Sequence, residues 1–284
     1  VPSLADVITV LESSYDPSWA EPWDAVGLVA GDPAQPVRRV LLAVDPVAAV
    51  AEEAVAWNAD LLITHHPLYL RGTTSVAATT PKGRVVHGLI RAGVALYTAH
   101  TNADVADPGV SDALARAVGL AGPLRPLQPS PEDPRRGLGR IGELPVALTL
   151  AEFVRQAASG LPPTAAGVRV GGDPNRVVRT VAVCGGAGDS LLGTARAAGV
   201  DVYLTADLRH HPASEFLEEE GPALVDAAHW ATEWPWLADA AVRLESALGT
   251  TVETRVSTTV TDAWTAAHSP ISDNQIETGV KVNP

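Results

Sequence analysis

The segment that most restricts what this chain can become is VRRVLLAVDPVAAVAEEAVAWNADLLITHHPLYL, Val37 to Leu70. A short apolar run leads through a small-residue loop into an alanine- and glutamate-rich stretch with helical spacing. A second apolar run, Leu61 to Thr64, follows and ends on His65 and His66. Two strands joined by a helical crossover lie parallel, and a parallel sheet needs both faces covered, so the segment predicts an α/β fold. The layout then returns in VRTVAVCGGAGDSLLGTARAAGVDVYLTADLRHHPASEF, Val178 to Phe216. Both stretches run Val-Arg, strand, small-residue loop, helix, Asp, strand, Thr, and then a histidine pair close to proline. The shared order predicts two similar α/β lobes, with mixed, largely parallel sheets, whose strand ends face one cleft.

The rest of the chain fits around these two units. Ser3 or Asp6 can cap a short N-terminal helix. PKGRVVHGLIRAG and GVSDALARAVGL read as helices, and VALYTAHTNAD as a strand running into a loop. AGPLRPLQPSPEDPRRGLG, rich in Pro, Gly and charge, reads as a lobe boundary or surface crossing. LTLAEFVRQAASGL is helical and AAGVRVGG a strand. GPALVDAAHWATEWPWLADAAVRLESAL reads as a strand then a helix, and TTVETRVSTTVTDAWT as an alternating β segment. The expected organisation is a first lobe over 1–125 joined by 230–268, a second lobe over 126–229, and an aperiodic, flexible tail over 269–284.

Composition excludes several classes. A formal net charge of -13 argues against a nucleic-acid binder, because a phosphate backbone selects Lys and Arg. The single cysteine, Cys184, rules out an intrachain disulfide framework and cysteine-rich zinc sites, and cytoplasmic residence is expected. The start lacks the pattern of a secretion signal, and no apolar run approaches the roughly 18 residues of a membrane span.

The chemistry concentrates in the histidines. His65 and His66 follow one strand, His100 follows another just before Asp104, His210 and His211 are expected to end a second-lobe strand, and His229 opens a helix. Ligands of open parallel sheets gather beyond the carboxyl ends of strands, which is where these residues fall. In HWATE, His229 and Glu233 share one helix face and can grip one ion. His65, His66, Asp104, His229 and Glu233 together suit two transition-metal ions, able to activate water and clamp an oxyanion. Bland readings stand beside this one. Taken singly, an H-x-x-x-E pair is an ordinary ion pair, adjacent histidines are structural, and HTNAD is a turn. Cys184 reads as packing. Trp230, Trp234 and Trp236 read as helix packing or as the floor of a pocket. CGGAGDS reads as a tight strand-to-helix turn or, through Gly185, Gly186 and Gly188, as a phosphate loop lacking the Lys-Ser/Thr of a P-loop.

EPWDAVGLVAGDP, LLITHHPLYL, AHTNADVADPGVSDALA, YLTADLRHHPASEF and DAAHWATEW occur in the order characteristic of one family. From about Leu4 to about Thr265 the chain resembles the Nif-three-like dinuclear metal centre family, also known as GTP cyclohydrolase I type 2 homologues. The resemblance implies two α/β lobes, a two-metal centre in the cleft between them and a toroidal homohexamer. It maps the metal ligands onto His65, His66, Asp104, His229 and Glu233, and it marks His100 and His211 as candidate proton shuttles near the centre. It implies two divalent ions per subunit (Zn, Fe or Mn). The implied function is a metal-dependent hydrolase acting on a nucleotide or phosphorylated small molecule, in the manner of a GTP cyclohydrolase. The alternative is a non-catalytic protein that stores, delivers or senses metal. Two features depart from the family pattern: Ala25 stands where the family has Asn in Trp-Asp-Asn-Val-Gly-Leu, and ADPGVSD lacks its usual glycine pair. The long domain that some members carry mid-chain is expected to be absent.

Overall fold

The computed structural model describes residues 1–268; the tail expected over 269–284 lies outside them. In chain order the first lobe contributes α1 (Leu4–Ser14), β1 (Gly27–Ala30), β2 (Arg39–Ala43), α2 (Ala48–Ala56), β3 (Leu61–Thr64), α3 (Pro81–Ala92) and β4 (Ala95–Thr98). Two short connecting helices follow, α4 (Thr101–Val105) and α5 (Val110–Ala117). The second lobe contributes β5 (Ala121–Pro129), β6 (Gly137–Thr149), α6 (Leu150–Gly160), β7 (Val168–Gly171), β8 (Val177–Ala187), α7 (Leu192–Ala197), β9 (Val202–Ala206), α8 (His210–Glu218) and β10 (Ala223–Ala227). Helix α9 (His229–Leu248) then returns the chain to the first lobe, where β11 (Glu253–Val256) completes its sheet.

The first sheet has the order β1-β4-β3-β2-β11 and the second β5-β6-β8-β9-β10-β7. Each holds a run of parallel strands, β4-β3-β2-β11 in the first and β8-β9-β10 in the second. Antiparallel β1 closes one edge of the first sheet; in the second, antiparallel β7 closes one edge and β6, antiparallel to both β8 and β5, leads to the other. Strands β2, β3, β4, β9 and β10 are mostly apolar and buried almost throughout because helices cover both faces, as a parallel sheet requires.

The two lobes repeat the same anchor on their parallel unit. Asp60 Oδ2 accepts from the amides of Arg38 and Arg39 at 2.7 and 2.9 Å. Asp201 Oδ2 accepts from those of Arg179 and Thr180 at 2.9 and 2.8 Å. The likeness extends to segments whose kinship the strand–helix–strand pattern does not announce. Ser3 with Asp6 and Thr149 with Glu152 each form a reciprocal capping box, at the start of α1 and of α6. Gly31 and Gly172, in two GDP turns, both have strongly positive φ, 138° and 137°. A Cβ on Gly31 would meet Ala95 Cβ at 2.6 Å, and one on Gly172 would meet Ala223 Cβ at 2.9 Å, so both turns need glycine.

Three expectations are corrected. The Pro-rich stretch after Leu120 is no boundary or crossing. It forms the edge strand β5 and the turn into β6; Pro123, Pro126 and Pro129 lie on this edge, where proline is tolerated within sheets. The expected boundary at 125/126 therefore falls inside a strand. His210 and His211 do not end a strand: β9 stops at Ala206, and the pair opens α8. Of the expected C-terminal β segment, Glu253–Val256 is a strand; beyond it, hydroxyls tie the chain down, with Ser257 and Thr259 both donating to Glu53 Oε2. Among the described residues no helix is long and apolar enough to cross a membrane.

Candidate metal centre

Residues at the ends of β3, β4 and β8 and in the first turn of α9 line one cavity. Helix α5 sits beside α9, giving Val110 and Ala113 to the core of the first lobe and Leu114 and Ala115 to that of the second. The first turn of α9 is locked to the end of β8: Gly186 N donates to Thr232 Oγ1 at 2.9 Å, and that hydroxyl donates to the His229 carbonyl at 2.7 Å. A Cβ on Gly186, at φ 66°, would lie 2.5 Å from Glu233 Oε1, so only glycine lets strand and carboxylate approach this closely.

Four imidazoles share one arrangement. The Nδ1 atoms of His65, His66, His100 and His229 face the Ala99 carbonyl at 2.9 Å, Asp45 at 2.7 Å, Asp24 at 2.8 Å and Asp207 at 2.7 Å. An oxygen acceptor at Nδ1 keeps the proton there and frees the Nε2 lone pair, the arrangement found behind metal-bound histidines. Around Glu233 those Nε2 atoms converge. Its Oε1 is 3.0 Å from His229 Nε2 and 3.5 Å from His65 Nε2, and its Oε2 is 3.2 Å from His66 Nε2. Asp104 Oδ1 stands 3.7 Å from His65 Nε2, and His66 Nε2 is 3.3 Å from His229 Nε2. His65, His66, Asp104, His229 and Glu233 are thus brought together from β3, α4 and α9.

Two atoms of this cluster, His65 Nε2 and Glu233 Oε2, are buried without a hydrogen-bond partner. Polar atoms left without a hydrogen bond in an interior are costly, and two of them within one group of nitrogen and oxygen donors fit a cation. The groups His65–His66–His100 and His66–His229–Glu233 each hold three donor atoms close enough for one ion.

The electrostatics say the same. Burial alone would discharge His66, but Glu233 and Asp45 outweigh it and raise the imidazole to about 11. His229, likewise buried, is raised to about 9 by Glu233 and Asp207, and His65 is raised by Glu233 and Asp104. Burial works against the Glu233 carboxylate too, yet His66, His65 and His229 hold it well below the usual range. Burial pushes Asp104 up, and Glu233 adds to it while His65 opposes. A cluster in which protons fill the gaps between carboxylates and imidazoles is one that a cation can occupy in their place.

Beside the cluster lies a cavity of about 430 Å³, whose wall includes Trp23, His66, His100, Asp104, His229 and Glu233. His100 packs against His65 and His66 with ring centroids 5.2 and 5.5 Å away. His211 is not part of this wall; it is exposed on α8, edge-on to His210. Burial, with Asp104 and Glu233 nearby, raises the Cys184 thiol to about 12, which fits packing and not nucleophilic attack. Trp236 is fully buried against Tyr15, Trp230 is buried as well, and Trp234 donates to the Ser257 carbonyl at 2.9 Å, so the three tryptophans pack α9 rather than floor the cavity. The amides of Gly185 and Gly186 are taken by Ser111 and Thr232 and are not offered to a phosphate; Cys184 to Ala187 finish β8, and Gly188 begins the turn after it.

Sequence reasoning missed Asp24, Asp45 and Asp207, which orient the imidazoles. Each looks like an ordinary loop aspartate. The available signal was position: Asp45 and Asp207 stand just past the ends of β2 and β9. Asp207 also holds φ 56°, a conformation uncommon outside glycine.

Residues 2–263 match the profile of the family described as Duf34/NIF3 (NGG1p interacting factor 3). A Streptomyces coelicolor protein named GTP cyclohydrolase 1 type 2 homolog is 58% identical over 279 residues, covering 96% of this chain and 98% of its own. A Mycobacterium tuberculosis protein of the same name is 40% identical, covering 93% of this chain and 97% of its own. Among solved structures, a Bacillus cereus protein related to NIF3 superposes with a TM-score of 0.86 at 24% identity, over 94% of this chain and 100% of its own. A Staphylococcus aureus protein does so at 0.84 and 27%, over 93% and 99%.

Proposed function

The chain belongs to the DUF34/NIF3 family, and from that premise we propose that it binds two divalent metal ions and hydrolyses a nucleotide or phosphorylated small molecule. The observation that carries this reading is the set of imidazoles with occupied Nδ1 atoms whose Nε2 atoms surround Glu233, beside a cavity with room for a ligand. His65, His66, Asp104, His229 and Glu233 are the holding groups. Two ions so held supply Lewis acidity and water activation, the means of cleaving a phosphoester or opening a purine ring. Asp45 and Asp207 fix the tautomers of His66 and His229. His100, with Nδ1 on Asp24, has its Nε2 free to take and return a proton at the cavity wall, and this role falls to it rather than to His211. The name carried by the relatives makes GTP the first nucleotide to test. A homohexamer is part of the same proposal and is measured by sedimentation.

The test is metal analysis of natively expressed protein, followed by assay against GTP and a panel of phosphoesters, with His229→Ala in parallel. Two ions per chain and turnover that His229→Ala abolishes are expected. Turnover that survives the substitution overturns the catalytic assignment. An occupancy that follows metal supply, with no turnover on any substrate, replaces it with metal storage or delivery.

A further inference from the structure

The mouth of the cavity carries a feature that metal binding does not use. Trp23 lines it with 57% of its surface exposed, while the loop that displays it is held firmly. The neighbouring Asp24 carboxylate is fully enclosed. It accepts from Ala25 N at 2.7 Å, Thr101 N at 3.0 Å and Thr101 Oγ1 at 2.5 Å, besides meeting His100. Glu21 N donates to Thr101 Oγ1 at 2.9 Å, and Asp24 N closes the turn on the Glu21 carbonyl. An indole left in water by a loop this well anchored adds little to the fold. Its ring lies nearly perpendicular to that of His100, centroids 6.0 Å apart, so the two rings are not stacked on each other. The cavity wall also includes Gly139, Gly185 and Gly186, which put no side chain into it.

Charge limits what else can enter. Among the described residues, the charged side chains of the wall are Glu21, Asp104 and Glu233 together with histidines, and no Lys or Arg joins them. Two divalent ions against Asp104 and Glu233 leave about +2 at the centre, the largest local charge there. That balances one phosphate or oxyanion beside the metals and leaves a triphosphate mostly unneutralised.

We propose that Trp23 is a specificity-determining residue of this site, stacking a neutral, purine-sized heteroaromatic ring whose substrate carries at most one phosphate, placed at the metals. This rests on the metal-centre reading and names its substrate class. The experiment is equilibrium binding of guanosine, GMP, GTP, ribose 5-phosphate and tripolyphosphate to the metal-loaded protein, in wild type, Trp23→Phe and Trp23→Ala. Metal content and sedimentation are recorded for each.

Guanosine and GMP are expected to bind, GTP no more tightly than GMP, and the two ring-free probes weakly. Trp23→Ala is expected to weaken guanosine and GMP about 5- to 100-fold, the range for loss of one stacked base, with Trp23→Phe retaining most of the affinity. Metal content is expected to stay at the wild-type level, so a protein that binds no metal at all sinks the metal-centre reading, a failure distinct from that of the stacking platform. Equal affinities in wild type and Trp23→Ala overturn the proposal. So does tripolyphosphate binding as tightly as GTP, or a Trp23→Ala variant whose changed assembly state, not its ligand affinity, is the measured effect.

Discussion

His66 shows how far one residue's chemistry follows from its neighbours. In the metal-free protein its proton is held by Glu233 and Asp45, and its pKa near 11 lies above the ordinary value of about 6.5. A raised histidine contributes stability that is complete below about pH 6.5 and is lost as pH climbs towards 11; His229, raised to about 9, follows the same course over a narrower window. A cation needs those same Nε2 lone pairs, so it competes with the protons. The melting temperature of chelator-treated protein is therefore expected to fall from pH 6.5 to pH 9, while zinc affinity and the zinc-induced rise in melting temperature grow over that range. Thermal scans and zinc competition titrations at several pH values check this. An affinity independent of pH would mean that the ring nitrogens are not the ligands. At this scale the sequence was legible where residue type carries the chemistry, as in HHP and H-x-x-x-E. It was opaque for Asp24, Asp45 and Asp207, because an aspartate that orients a histidine across 21, 22 or 76 residues looks locally like any turn aspartate.

At the scale of elements, the decisive contact is between the end of β8 and the first turn of α9. Thr232 is buried, and its hydroxyl satisfies the Gly186 amide while anchoring on the His229 carbonyl. Thr232→Val keeps the shape and removes the acceptor, leaving a buried N–H unpaired at a cost of about 1–3 kcal/mol. Because the lost bond ties strand to helix beside Glu233, metal affinity is expected to drop as well. Denaturant unfolding of the metal-free protein gives the first quantity and metal titration the second; stability unchanged within error would show the lock to be incidental. The elements themselves were mostly readable, since strand and helix periods differ and the parallel unit repeats. What escaped was β6, which the eye passes over behind a Pro-rich edge strand. Also missed was the kinship of SLAD with TLAE and of GDPAQPVRR with GDPNRVVRT. Those pairs share only a handful of identities, and their equivalence lies in backbone geometry: two capping boxes and two positive-φ glycines packed on an alanine.

For the whole molecule, the two lobes arrange their parts about a shared cleft, and the candidate centre draws on both. His65, His66 and Asp104, with Asp45 behind them, come from the first lobe; Asp207 and the Gly185–Gly186 strand end come from the second; α9 carries His229 and Glu233 between. An ion bound there is held by an assembled interface, so its binding free energy stabilises the juxtaposition of the lobes, by about 2.7 kcal/mol when metal is at a hundred times its dissociation constant. Chelation is then expected to speed hydrogen exchange in both lobes at once, at Ile63–His66 and at Gly185–Asp207, leaving the distant α2–α3 surface unchanged. Asp207→Ala, which removes only a second-lobe partner of His229, is expected to weaken metal binding about 10- to 100-fold. It should reproduce part of that exchange pattern in the first lobe. Exchange mass spectrometry with and without chelator decides the matter. A response confined to the first lobe would make the centre a property of one lobe, and the repeated architecture would then be a scaffold around it rather than half of its binding site.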